Sequence, residues 1–130
     1  MKRCSSQNPD DRNPFPRKST ATRHLRRLIY LVELDPSVAA DPVFQRANPR
    51  YAPGSACYYA GSTSQDPEAR FYEHMSGTRN ASRIAHRFGR ILRMDLVPSA
   101  GKRFSRERAL KEEFRLAREL RAKGFGVWQA

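Results

Sequence analysis

Apolar residues come in short blocks from residue 28 onward, and the breaks between blocks predict the elements. Leu28-Ile29-Tyr30-Leu31-Val32-Glu33-Leu34 is rich in strand formers and stops at Asp35-Pro36. Residues 35 to 56 carry Pro36, Pro42, Pro49, Pro53 and Gly54, which predicts a long connection with a helical turn near Pro42-Val43-Phe44. Ala56-Cys57-Tyr58-Tyr59-Ala60 then reads as a second strand, stopped by Gly61 and paired with the first as an antiparallel hairpin. Asp66-Pro67 is a helix start, with Asp placed to cap free amides and Pro at a position that needs no N–H. That helix is expected to reach Met75 and end at Gly77, with Phe71 and Met75 on its buried face. A second helix follows over residues 81–88, and a third strand over residues 91–97, closed by Pro98. The final helix has Ser105 as cap, runs to Lys123 and stops at Gly124. Residues 125–128 add a last short strand or pack on the sheet. The order β-β-α-α-β-α predicts a small α+β sandwich, an antiparallel sheet covered by helices.

Residues 1–27 show no such pattern. Pro9, Pro14 and Pro16 interrupt a polar stretch in which Lys2, Arg3, Arg12, Arg17, Lys18, Arg23, Arg26 and Arg27 face only Asp10 and Asp11. This predicts a flexible basic arm ahead of one folded domain over residues 28–130. It is either a solubilising tail or a phosphate clamp, in which case Arg17, Lys18, Arg23, Arg26 and Arg27 touch nucleic acid in a salt-dependent way. The whole chain of 130 residues carries 25 Lys and Arg against 13 Asp and Glu, a net charge of +12, which asks for an acidic partner. No stretch approaches the length of a membrane span, the run Leu28 to Val32 ending at Glu33. The basic start leads into Pro and Asp rather than an apolar core, so a secretory signal is not expected. Cys4 and Cys57 lack the spacing of a zinc cluster, and a free buried Cys57 thiol fits a reducing, cytoplasmic compartment.

Three groups of residues stand out chemically. On the final helix Ala109, Leu110, Phe114, Leu116, Ala117 and Leu120 cluster on one side, and Glu113 falls near the middle of that stripe. A core-facing carboxylate costs several kcal/mol unless it is paired, protonated or bound to a metal. Either an arginine pairs with it or it ligates a divalent cation. Arg70 and His74 stand four apart on the first helix and project from one face: Arg suits a phosphate, and His can move a proton near neutral pH. Tyr30 and Tyr59 sit in the two paired strands with side chains expected on one face. They serve packing or, beside a guanidinium or a metal that lowers the phenol pKa, they accept a proton from water.

Ile29-Tyr30, then Tyr59-Ala60-Gly61-Ser62-Thr63, then Arg70-x-x-x-His74, then Ala109-Leu110-x-x-Glu113 in a long helix, resembles the GIY-YIG nuclease superfamily. The resemblance spans roughly residues 28 to 128 and leaves the basic arm outside. It implies a three-stranded antiparallel sheet flanked by helices and a metal-dependent endonuclease that hydrolyses DNA phosphodiesters. By the same resemblance Glu113 ligates Mg²⁺ or Mn²⁺, and Tyr59 with Tyr30 positions and deprotonates the attacking water. Arg70 neutralises the scissile phosphate, and His74 supports the tyrosine or relays its proton. The chain departs from the family pattern in lacking the first motif's glycine, in having Ala60 where Ile is usual, and in Ser62-Thr63 after Gly61. The Asn that often follows the metal-binding Glu has Gln129 as its nearest, weak substitute. DNA is expected over RNA as the partner, with a targeting protein or a homodimer supplying specificity. The competing class is a non-catalytic DNA- or RNA-binding module that keeps the fold, with Glu113 paired to an arginine.

Overall fold

Residues 26–130 are described by the structure, a computed structural model of the chain. Strand β1 (Arg27–Leu34) is buried continuously from Leu28 to Val32, the signature of a central strand covered on both faces. It pairs antiparallel with β2 (Cys57–Thr63) on one side and with β3 (Gly89–Leu92) on the other. Its first two residues also pair with the two-residue strand β4 (Arg103–Phe104), and β5 (Gly126–Gln129) lies parallel to β2. The strand order is β3-β1-β2-β5, with β4 against the start of β1.

Alternation along β1 and β2 sends side chains to two separate cores. Ile29, Leu31, Tyr58, Ala60 and Val127 pack against Ala109, Leu116, Ala117 and Leu120 of α4 (Arg106–Ala122). Tyr30, Val32, Leu34, Cys57 and Tyr59 face the opposite way, onto Ile84 and Ala85 of α3 (Arg83–Phe88) and Phe44 of α1 (Pro42–Ala47). Helix α2 (Pro67–Ser76) lies on this second face and buries His74. The molecule is an α+β fold with a mixed five-stranded sheet and helices on both faces.

The long β1–β2 connection is built from two Asp-Pro starts. Asp35 caps a 3-10 turn over Pro36–Ala40, and Asp41 caps α1 by accepting from the amides of Val43 and Phe44. Asn48 then closes it: its amide donates to the Phe44 carbonyl, while its Oδ1 accepts from the Val127 amide and from Arg121 Nε. A buried asparagine with this many partners ties the connection to β5 and to the end of α4.

The sheet is therefore larger than the three antiparallel strands expected. β4 is too short to carry a period, and β5 runs parallel because α4 crosses the sheet before it. Gly61 does not stop β2, which continues to Thr63. The third strand covers Gly89–Leu92 and gives way to a 3-10 turn at Met94–Leu96, where Arg93 is held by Glu33 and Asp95. Asp66 has the extended backbone of a cap, but its side chain makes no capping hydrogen bond. The C-terminal stop holds: Gly77 adopts φ 70°, which favours glycine. Leu110 and Phe114 were expected on the buried stripe of α4, and both are exposed, because the helix turns Ala109, Glu113, Leu116, Ala117 and Leu120 inward instead. Among the described residues no helix is long and apolar enough to cross a membrane.

Candidate active site

The register of the hairpin puts Tyr30 opposite Gly61 and Val32 opposite Tyr59, so the two tyrosines are same-face neighbours across the strands. Their ring centroids are 6.2 Å apart. Gly61 makes this possible in a specific way: a Cβ there would lie 2.7 Å from the Tyr30 hydroxyl oxygen. The tyrosine ring rests directly on the opposing backbone, and no larger residue fits beneath it.

His74 comes down from α2 onto this pair, fully buried, with its ring 5.2 Å from that of Tyr59 in an edge-on arrangement and 6.0 Å from that of Tyr30. The Ser82 amide donates to His74 Nδ1 at 3.0 Å. In the neutral ring this fixes the proton on Nε2, and Nε2 lies 2.9 Å from the Tyr30 oxygen. His74 therefore donates to Tyr30. Burial, reinforced by the positive charge of Arg70, lowers the His74 pKa to about 4, so the ring is neutral at physiological pH.

Both phenols move opposite to the expected direction. Burial raises Tyr30, with Tyr59 adding to it, and outweighs the lowering influence of Arg70. Burial also raises Tyr59, against the hydrogen bonds of Ser82 and Tyr30 and the charge of Arg70. At neutral pH the two are protonated hydrogen-bonding groups rather than phenolates, because desolvation penalises the anion more than one nearby guanidinium favours it.

Glu113 occupies the other side of the sheet. The residue is 3 % exposed, and among the described residues its one hydrogen bond is from Gln129 Nε2 at 3.4 Å. Among the described residues no Lys or Arg nitrogen lies within salt-bridge distance of it. Burial raises its pKa to about 7, with Gln129 and the charge of Arg27 pulling the other way. Gln129 reaches it because β5 pairs Gln129 with Ala60, which faces α4.

Glu113 and Arg70 meet at one cavity of about 610 Å³, lined also by Arg27, Ser62, Arg106 and Leu110. Arg70 is half-buried there, with Nη1 on Glu73 at 2.8 Å and Nη2 on the Asn80 carbonyl at 2.9 Å. Arg27 was expected in the flexible arm, and it is the first residue of β1: Nε donates to Ser62 Oγ and Nη2 to the Ser62 carbonyl, both at 3.1 Å. Strand pairing at Arg27 and Leu28 recruits it into the sheet. Arg26 is exposed, and its carbonyl accepts from Arg103. Arg17, Lys18 and Arg23 lie outside the described residues.

The five expected catalytic side chains thus divide into two layers. Arg70 and Glu113 line the cavity, while Tyr30, Tyr59 and His74 form a buried aromatic cluster behind Arg70. Ser82 and Arg106 lie at the site and were not singled out in the sequence, and Ser62 figured there only as a motif position after Gly61. Ser82 carries the one available signal, as the N-cap of α3 whose side chain accepts from the Ala85 amide.

A divalent cation fits what is present. This buried carboxylate has, among the described residues, one long hydrogen bond and opens on a cavity roomy enough for a hydrated ion, which leaves lone pairs for a hard cation, and Mg²⁺ is commonly held by one or two carboxylates while keeping its waters. Among the described residues no cluster of three or more His, Cys, Asp or Glu side chains occurs. Comparison of the chain with protein-family models, with curated proteins and with solved structures gave no significant match.

Proposed function

We propose that this protein is a metal-dependent endonuclease of GIY-YIG type that hydrolyses phosphodiester bonds in DNA. The observation that carries the reading is Glu113: buried, weakly bonded, and facing Arg70 and Arg27 across one cavity. The adjacent antiparallel strands β3, β1 and β2, with helices on both faces, support the same assignment.

In this reading Arg70 and Arg27 neutralise the scissile phosphate, and their existing hydrogen bonds hold both guanidinium groups in place before substrate arrives. Glu113, with Gln129 beside it, holds Mg²⁺ or Mn²⁺. The bound ion supplies charge neutralisation at the phosphate and at the departing oxygen. Tyr59 orients the attacking water as a neutral phenol, and Tyr30 and His74 fix the ring position of Tyr59 from behind. The net charge of +12 brings the polyanion in, and the resemblance to the nuclease family, not the charge, favours DNA over RNA. A targeting partner or a homodimer supplies site choice, and the buried free thiol of Cys57 suits a reducing cytoplasm.

One observation favours a second reading, a non-catalytic nucleic-acid-binding module. Both Nη groups of Arg70 already have protein partners, Glu73 and Asn80. Incubation with supercoiled, flapped and branched DNA separates the two, using Mg²⁺ or Mn²⁺, EDTA, and Glu113→Ala. The nuclease reading expects metal-dependent cutting that EDTA and Glu113→Ala both abolish while DNA binding persists. Binding without cutting on every substrate would leave the binding module.

A further inference from the structure

The outward face of α4 carries two exposed apolar side chains, Leu110 at 62 % and Phe114 at 54 % exposure. Residues four apart on a helix lie one above the other, so Leu110, Phe114 and Arg118 form a single stripe. Three cavities follow that stripe and overlap in sequence: the one at Glu113 shares Leu110 with a cavity over Phe114, and that cavity shares Arg118 with a third at Arg121. From Arg106 to Arg121 the helix rises about 22 Å.

The surroundings identify the occupant. Arg108, Lys111, Arg115 and Arg118 line the middle cavity against one carboxylate, Glu112, which bridges Arg108 and Arg115. A face this basic repels the same face of a second copy and attracts a polyanion. The phenyl ring narrows the choice. Paired bases in a duplex hide their faces, whereas an unpaired strand offers them to an exposed aromatic ring.

We propose that the outer face of α4 is a track for single-stranded nucleic acid, with Phe114 stacking on an unpaired base and Arg118 holding the backbone. The track leads into the cavity at Glu113 and Arg70, so a substrate with an unpaired strand beside the cut is preferred. The proposal rests on the nuclease reading only for where the scissile phosphate lies.

Fluorescence anisotropy in EDTA tests it, with a labelled oligothymidylate and a blunt duplex of equal phosphate number as probes. The wild type is expected to bind the single strand more tightly than the duplex. Phe114→Ala should weaken single-strand binding about tenfold and leave duplex binding within about twofold, and Phe114→Trp should keep the preference. Arg118→Gln should lower the salt slope by about one. A wild type that prefers the duplex, or a Phe114→Ala that weakens both probes alike or neither, would overturn the track. So would a dimer in light scattering that Phe114→Ala breaks, or binding to phosphatidylserine vesicles that the same change abolishes. Because EDTA removes turnover, a strand preference that depends on Phe114 stands even if cutting is never seen. Cutting without that preference leaves the nuclease and removes the track.

Discussion

The two faces of the sheet each bury a titratable group, and they treat it in opposite ways. His74 is closed into a network in which Nδ1 accepts from Ser82 and Nε2 donates to Tyr30, so both ring nitrogens are satisfied. Among the described residues Glu113 has a single long hydrogen bond, and it faces a cavity. A buried polar group with all partners in place stabilises a geometry, whereas one left short of partners has capacity for a ligand. Among the described residues the contrast sets a closed network around His74 against a carboxylate with bonding capacity to spare.

The largest expected effect breaks the closed face. His74→Ala removes a fully buried ring and leaves the Tyr30 hydroxyl and the Ser82 amide short of a partner, at a cost of about 4 kcal/mol in urea unfolding. The pH dependence has a defined sign. With the folded His74 pKa lowered to about 4, the unfolded chain takes up a proton first as pH falls, so stability drops from about pH 6.5 towards 4, by about 3 kcal/mol in all. A melt series with a flat acid limb would show that the ring is not buried neutral.

Glu113→Gln tests the open face and works in the other direction. The folded carboxyl is raised to about 7, so the wild-type fold holds its proton and loses stability as pH rises from about 4.5 through 7. The neutral amide removes that loss: the variant is expected to be more stable than wild type by about 3 kcal/mol at pH 8 and by less than about 1 at pH 5. Melts at the two pH values decide it, and an equal difference at both would mean that Glu113 is already paired. Mg²⁺ should raise the wild-type melting temperature at pH 8 and leave the variant unchanged.

Tyr30→Phe gives the smallest effect and sharpens the division of labour. It deletes the acceptor of His74 Nε2–H for about 1 kcal/mol and should slow cleavage less than Tyr59→Phe, because the Tyr30 oxygen is committed to His74 and pressed against Gly61. Single-turnover rates of the two variants make the comparison. The reverse order would make Tyr30 the phenol that faces water.

How much of this could be read along the chain depends on what each signal measures. Helix boundaries came through well where a local rule applies, as with Pro67 at the start of α2, Gly77 at its end and Ser105 before α4. Period 2 along the strands was enough to put Tyr30 and Tyr59 on one face, whereas no periodicity says that Arg70 of α2 and Glu113 of α4 share a cavity; only the family resemblance had grouped them. What escaped depends on distant pairing. β4 has two residues and exists only because Arg27 and Leu28 offer it an edge. The direction of the phenol shifts also lay out of reach, because desolvation depends on how α2 closes over the strands and not on residue type. On α4 the broad apolar set Leu110, Phe114, Leu116 and Leu120 blurred the stripe, and the exposure of Leu110 and Phe114 needed the docked helix to reveal it.

The parallel pairing of β5 sets an order of assembly. β1, β2 and α2 can gather the tyrosines and His74 from contacts within the first half of the domain, but Asn48 must wait for Val127 across 79 residues of chain. Contacts of such long sequence separation carry a loop-closure cost that slows their formation. Gln129 and Ala130, which border the carboxylate and the cavity, therefore arrive last. A chain caught before that step holds its aromatic cluster but leaves the Glu113 cavity without the wall that Gln129 and Ala130 supply. Trp128, the one tryptophan, lies in that strand and reports the moment by its fluorescence.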